Sequence, residues 1–281
     1  MADHETGTAG EEIAPQVRSI YGPVDLSSVP AFAGGFINFG DWQGISLDRA
    51  PTTEDRIRSE RNLYRRVLRA LGPGAERARA VEVGCGIGLG AALALAEFSF
   101  AAVTGVDVHP DQLERAREVH ADLLAREPER LRFVRGAAER MPFAGGEFDR
   151  LYSVEAAQHF LDLTAFARES ARVLGPGGRL AVTSFFLPDD TGAKVTALAE
   201  RLDSFATGLD RPHPLPALLD ALRGAGLTDV RAESIGEHVW PGYDHFLAHV
   251  ELPVTWPRNF LGAYRDGLLD YYLITARRPA G

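Results

Sequence analysis

The sequence predicts an α/β fold, a parallel sheet with helices on both faces, on three observations. Short apolar runs alternate with stretches of helical periodicity between residues 52 and 186. The first run ends in the glycine-rich turn Val81-Glu82-Val83-Gly84-Cys85-Gly86-Ile87-Gly88, which opens a helix. The second ends in an acid, Asp107, 19 residues after Gly88.

Residues 1–14 are small and polar without period and are expected to be a disordered tail. Residues 15–51, rich in Gly, Pro and aromatics, read as an ordered loop segment. A helix starts near Thr52, where Thr52 and Asp55 form a capping box. Ile57, Tyr64, Leu68 and Leu71 recur on one face until Gly72 and Pro73 stop it. Strands follow at 80–83, 102–106, 131–134, 148–153 and 180–185. Helices are expected at 89–98, at 163–174, and from Pro110, with Leu113, Ala116, Val119 and Leu123 on one face. Beyond residue 186 the order loosens: helices at 191–207 and 215–225, a strand at 227–234, a short helix at 243–250 and a closing strand at 268–276. With no internal repeat or linker, residues 15–281 read as one domain.

Composition narrows the function. The 281 residues hold 30 Lys and Arg against 39 Asp and Glu, a formal charge of −9, which disfavours a nucleic-acid partner. The single cysteine, Cys85, forbids an internal disulfide and suits a reducing cytoplasm. Met1–Glu12 lacks the basic start and apolar run of a signal peptide, and no apolar stretch reaches membrane-spanning length, so a cytoplasmic protein without a membrane partner is expected, as monomer or homodimer. His245 and His249 stand i, i+4, but Phe246 occupies the place where a zinc-protease helix needs Glu. The Asp189-Asp190 pair reads as a solvated loop, so no metal is expected.

The glycine turn carries the chemistry. Glycines let the backbone bend tightly and approach a ligand, and the helix start adds free N–H groups. A carboxylate at Asp107 is placed to accept both hydroxyls of a ribose, so the arrangement points to an adenosine-containing cofactor. Gly86, Gly88 and Ala91 also satisfy a dinucleotide pattern, whereas the register from Gly84 fits the strand end at Val83 better. Glu82, inside the first strand, is either a group that helps hold a methionine ammonium or a buried structural acid.

Six segments in order resemble the class I S-adenosylmethionine-dependent methyltransferases, in particular those acting on natural products. They are Val81–Gly88, Gly105-Val106-Asp107-Val108, Gly136-Ala137-Ala138-Glu139, Met141-Pro142-Phe143, Phe148-Asp149 and Arg172-Val173-Leu174-Gly175-Pro176-Gly177-Gly178. The resemblance implies a Rossmann-like seven-stranded, mostly parallel sheet with its last strand antiparallel, the role Asp270–Arg277 fits. It implies S-adenosylmethionine as cofactor, held by Glu82, Gly84, Cys85, Gly86, Gly88, Asp107, Val108, Ala138 and Glu139. It also implies an N-terminal lid over 15–51 whose Phe39 and Trp42 cover the donor, and helical cap elements over 186–267. Where relatives often carry Tyr before that Trp, this chain has Asp41.

Methyl transfer requires an acceptor held in line with water excluded, and a base when the acceptor is a hydroxyl. The segment after the fourth strand, Ser153-Val154-Glu155-Ala156-Ala157-Gln158-His159-Phe160, supplies candidates. His159 is the expected base, Glu155 a second catalytic candidate that is more structural or cofactor-facing, and Gln158 a substrate-orienting group. His238, Trp240 and Tyr243 are expected to line an aromatic acceptor pocket. O-methylation of a small secondary metabolite is the leading expectation. Carbon or nitrogen methylation, a NAD(P)-dependent oxidoreductase and a non-methylating cyclase or regulator stay open, although the turn at Gly175–Gly178 and the terminal strand argue against the nicotinamide reading.

Overall fold

The computed structural model describes residues 13–22, 26, 29–189, 191–251 and 255–280. The expected tail lies outside them except for Ile13 and Ala14, and Asp190 lies outside them too. Seven strands form one sheet: β1 (Arg79–Val83), β2 (Ala102–Asp107), β3 (Leu131–Arg135), β4 (Phe148–Val154), β5 (Leu174–Phe186), β6 (Thr228–Ser234) and β7 (Asp270–Arg277). Their order is β3-β2-β1-β4-β5-β7-β6, and β7 alone runs antiparallel to its neighbours. From β1 the chain steps outward to β2 and β3, then returns to β4 on the other side of β1. This reversal opens a crevice at the carboxyl ends of β1 and β4.

The helices are α1 (Pro15–Tyr21), α2 (Thr53–Ala70), α3 (Leu89–Phe98), α4 (Pro110–Val119), α5 (Ala121–Arg126), α6 (Leu163–Val173), α7 (Gly192–Arg201), α8 (Asp203–Ala206), α9 (Leu215–Gly224), α10 (Gly236–Leu247) and α11 (Asn259–Arg265). Strand alternation divides the core into two layers. Ala80, Tyr152, Ala181 and Phe185 face one side of the sheet, whereas Val81, Leu151, Val182 and Phe186 face the other.

The expected capping box is present: Thr52 Oγ1 accepts from the Asp55 N–H and Asp55 Oδ2 from the Thr52 N–H. The buried stripe of α2 starts polar, with Arg56, Ser59 and Glu60, and becomes apolar at Leu63, Val67 and Leu68. Its polar turn sits under the N-terminal segment. Arg56 is fully buried, donates to the carbonyls of Ala31 and Asn38, pairs with Glu60 at 3.1 Å, and lies over the Tyr243 and Phe246 rings. One guanidinium thereby fixes the path of residues 31–38.

Several boundaries differ from the sequence reading, among them β5, expected over 180–185, which begins at Leu174. The expected helix from Pro110 to Leu123 breaks at His120, whose ring turns inward to the Ile87 carbonyl. The helix expected over 191–207 divides at Leu202 into α7 and α8. Helix α10 begins at Gly236, seven residues before the expected start, and runs through Pro241. Proline in a helix interior forfeits a backbone hydrogen bond. Burial of Val239, Trp240, Tyr243, Phe246 and Leu247 on one face outweighs that loss. Gly242 gives Trp42 its place on this helix, since a Cβ there would stand 2.1 Å from the indole. Among the described residues, no helix is long and apolar enough to cross a membrane.

Candidate active site

A cavity of about 490 Å³ opens at the carboxyl ends of β1, β2 and β4, within the range of small-molecule sites. Its floor is the β1–α3 turn. The N–H groups of Gly84 and Cys85 both donate to the Val106 carbonyl, at 2.8 and 3.1 Å, which folds the turn back over β2. Gly84 has φ +74°, and a Cβ there would stand 2.4 Å from the Ala156 side chain. Glycine is therefore required both by backbone conformation and by the approach of the β4 loop. Gly84, Cys85 and Gly86 line the cavity. The Cys85 thiol is buried and its pKa pushed well up by desolvation, so it is an inert wall group.

Asp107 ends β2 and faces the cavity. Its Oδ2 accepts from the Gly86 N–H and its Oδ1 from the His109 N–H, both at 2.9 Å. Burial raises its pKa in spite of these two donors. Each carboxylate oxygen keeps a further lone pair, so a vicinal diol would supply the donors the half-buried acid lacks. Beside it lie Val108, Ala138 and Glu139. Glu139 Oε1 accepts from the Leu161 N–H at 2.7 Å and ties the loop after β3 to the loop after β4.

The opposite wall carries His159. Its Nδ1 lies 2.8 Å from the Leu209 carbonyl and 3.5 Å from Asp210 Oδ1. A carbonyl only accepts, so Nδ1 holds the proton and Nε2 presents its lone pair. The Tyr21 hydroxyl sits 3.0 Å from that lone pair and the Gln158 amide nitrogen 3.3 Å from it. Gln158 is itself locked, accepting from the Ser184 hydroxyl at 2.6 Å and donating to the Glu155 carbonyl at 2.9 Å. Asp210 is buried, and desolvation raises its pKa while His159 opposes the rise. Tyr21 is raised too, first by burial and then by Asp210, Glu155 and Asp107, so it stays a neutral donor.

Glu155 also lines the cavity, with φ +50°, a left-handed conformation that is strained for a side-chain-bearing residue. Its Oε2 accepts from the Phe39 N–H at 2.5 Å and the Tyr271 hydroxyl at 2.8 Å. Burial pushes its pKa up to about 8. It is a strut joining β4, β7 and the N-terminal segment.

Several residues expected at the site lie elsewhere. The Phe39 ring packs among Phe185, Trp240, Tyr243 and Phe260, and Trp42 is buried against Phe246 with its indole N–H on the Phe39 carbonyl. Neither lines the cavity; Gly35, Phe36 and Ile37 do. Trp240 and Tyr243 belong to the same aromatic cluster, drawn in by apolar burial. His238 faces Glu237 at 3.6 Å, and none of the three reaches the cavity wall. The acceptor pocket expected from 186–267 is thus absent from that wall among the described residues. Gln158 orients His159 rather than the cavity contents. Glu82 is fully buried, accepting from the hydroxyls of Tyr64 and Tyr152 at 3.0 and 3.3 Å, and burial pushes it up to about 8. It is the structural acid of the two alternatives. Gly88 caps α3 at φ +75°, and a Cβ there would meet the Phe133 ring at 2.4 Å; it serves packing.

Tyr21, Asp210 and Ile13 escaped the sequence reading, whereas Val17, Phe36 and Ile37 on the same wall fall within the expected lid segment. Asp210 sits in the irregular stretch between α8 and α9 without a motif, and Tyr21 in a helix of seven residues. The His245 and His249 rings bind backbone carbonyls, and no cluster of three metal-ligating side chains occurs among the described residues.

Residues 81–182 match the family model described as a methyltransferase domain. The chain is 32% identical over 194 residues to 27-O-demethylrifamycin SV methyltransferase of Amycolatopsis mediterranei, covering 63% of this chain and 69% of that protein. It is 29% identical over 206 residues to erythromycin 3''-O-methyltransferase of Saccharopolyspora erythraea, covering 64% and 65%. Among solved structures, geranyl diphosphate C-methyltransferase of Streptomyces coelicolor, in complex with Mg2+, geranyl diphosphate and S-adenosyl-L-homocysteine, superposes with a TM-score of 0.70 at 22% identity over 80% of this chain and 81% of that one. The [4+2]-cyclase SpnF does so with 0.69 at 22% identity, over 92% and 94%.

Proposed function

The chain belongs to the S-adenosylmethionine-dependent methyltransferases, and from that premise we propose that it methylates a hydroxyl oxygen of a small natural product, with His159 as the base. When bound, S-adenosylmethionine supplies a methyl group already activated on a sulfonium. The residues suited to hold it are Gly84, Cys85 and Gly86 beneath, Asp107 at the ribose hydroxyls, and Val108, Ala138 and Glu139 around the adenine. The fit rests on the glycine cradle a Cβ would fill and on a half-buried carboxylate short of donors.

The observation that carries the reading is the state of His159. The Leu209 carbonyl fixes its tautomer, Asp210 stands behind Nδ1, and the basic Nε2 faces the cavity. An acceptor hydroxyl that replaces the Tyr21 hydroxyl at Nε2 loses its proton to that nitrogen, and the Asp210 carboxylate balances the imidazolium that results. Ile13, Val17, Phe36 and Ile37 exclude water from above. Oxygen methylation is also what the names of both O-methyltransferase relatives state of those proteins. Glu155 is the weaker base because the oxygen of its carboxylate that is paired holds two internal donors.

The test is transfer of labelled methyl from S-adenosylmethionine to a panel of polyketide alcohols beginning with 27-O-demethylrifamycin SV. The expected product is a methyl ether whose formation needs His159. Tight binding of S-adenosylhomocysteine with no methylated product from any alcohol would overturn the reading in favour of the non-methylating alternative. We infer that residues 15–281 act as one domain whose N-terminal segment closes the cavity.

A further inference from the structure

At the opposite end of the sheet, four arginines crowd one face. Arg150 on β4 is in register with Arg179 on β5, and Arg179 with Arg277 on β7. Arg231 on β6 pairs with Thr275, two residues before Arg277, and therefore shares that face. Like charges directly opposite each other destabilise a sheet, and here three stand in a row across adjacent strands in a chain whose net charge is −9.

Internal partners answer only part of this charge. Arg150 donates to the carbonyls of Asp149 and Pro73, leaves its buried Nε without a partner, and has its pKa lowered by burial and by Arg179 and Arg277. Asp229 lies 3.8 Å from Arg277. Among the described residues, neither the Arg179 nor the Arg231 guanidinium has a hydrogen bond or ion pair. Arg179 is half-buried beneath the turn that ends α2, where a Cβ on Gly72 would stand 2.1 Å from its Nη1. A pocket of about 250 Å³ lies here, lined by Arg179, Arg231 and Arg277 with Asp229 and Thr275.

We propose that this pocket binds a small multivalent oxyanion of the phosphate or pyrophosphate class, gripped by Arg179, Arg231 and Arg277, with Thr275 offering a hydroxyl. Three guanidiniums against the one carboxylate of Asp229 leave an excess of two positive charges, which selects a ligand with at least two negative ones. Planar guanidinium forks match the tetrahedral oxygens of such a group. The volume admits one or two phosphoryl groups. The site is separate from the cavity described above, roughly 17 Å along β4 from Arg150 to Glu155 at about 3.3 Å per residue, and does not depend on the function assigned there.

The experiment is calorimetric titration of the full-length chain with sodium pyrophosphate at ionic strength held constant with sodium chloride, repeated on Arg231→Gln, on Arg179→Gln/Arg277→Gln, and on Arg201→Gln as a surface control. Saturable one-site binding is expected, at least tenfold weaker in both pocket variants and unchanged in the control. Thermal melting gives a second readout. Without pyrophosphate, Arg179→Gln raises Tm because a like-charge contact is gone, whereas with saturating pyrophosphate the wild type melts higher. No saturable binding, equal loss in Arg201→Gln, equal stabilisation of Arg179→Gln by pyrophosphate, or binding only by an acidic polypeptide such as polyglutamate would each overturn the proposal.

Discussion

The hydroxyl of Tyr21 lies 3.0 Å from Nε2 of His159 and occupies the one imidazole lone pair that faces the cavity. The ring nitrogen suited to take a proton is therefore capped by a residue of α1. Tyr21→Phe keeps the ring and removes the cap. The Michaelis constant for the acceptor should fall about two- to tenfold, the worth of one exchanged hydrogen bond, with kcat little changed. Steady-state kinetics decide it, and a collapse of kcat would mean that Tyr21 itself carries the proton.

His159→Ala should lower kcat by about 10²–10⁴-fold, the usual range for a general base, with unchanged affinity for S-adenosylhomocysteine. Asp210→Asn keeps the shape and removes the charge 3.5 Å from Nδ1, so a loss of about tenfold in kcat is expected, again without effect on donor binding. Single-turnover rates and calorimetry separate the two effects. Weaker donor binding in either variant would contradict the assignment.

Asp107→Ala should weaken S-adenosylhomocysteine binding by about 1.5–3 kcal/mol, the span for hydrogen bonds to a charged group. A circular-dichroism melt guards against unfolding, since Asp107 also holds two backbone N–H groups. Affinity equal to wild type would refute the ribose role.

Three glutamates, Glu60 and Glu82 fully buried and Glu155 half-buried at the cavity, are each pushed up to about 8, chiefly by desolvation. Between the unfolded carboxyl pKa near 4.3 and about 8, the folded chain holds protons that the unfolded chain releases, so stability falls as pH rises through this window and levels off above it. Glu82→Gln removes one of these contributions. Urea unfolding should show a shallower decline from pH 5 to 8 and a gain on the order of 2–4 kcal/mol at pH 9 relative to wild type. A slope identical to wild type would show Glu82 to be ionised in the folded chain.

Gly88→Ala introduces a side chain at φ +75° and drives it into Phe133. A loss of about 1–3 kcal/mol is expected, read as a lower Tm with donor affinity nearly preserved. A large selective loss of donor binding would return Gly88 to the binding surface.

The sheet and the glycine-turn side of the cavity were legible because local rules write them directly. Apolar runs, the Thr52 cap, Pro110 at a helix start and the glycine turn each act over a few residues. Asp107 follows from where β2 ends. The other wall depends on contacts between distant segments. Tyr21 meets His159 across 138 residues, and Asp210 comes from an irregular stretch with no period to mark it. Phe39, Trp42, Trp240 and Tyr243 misled for a complementary reason. An aromatic residue reads the same whether it lines a cavity or fills a core. Burial around Phe185 and Phe260 settled Phe39 and Trp240 in the core, and burial around Phe246 settled Trp42 and Tyr243 there.

Strand β7 slots between β5 and β6 and places Tyr271 on Glu155. In the order of synthesis, a slot between two earlier strands waits for the segment that fills it. While the ribosome is still adding residues 235–270, β5 has a raw edge and β6 has no neighbour to pair with. The carboxylate of Glu155 then has one fewer donor, and the strained backbone at its position has no clamp from that side. The nascent enzyme is thus incomplete at its centre until residue 277 has cleared the exit tunnel, and that interval is when it most needs shielding from its own kind.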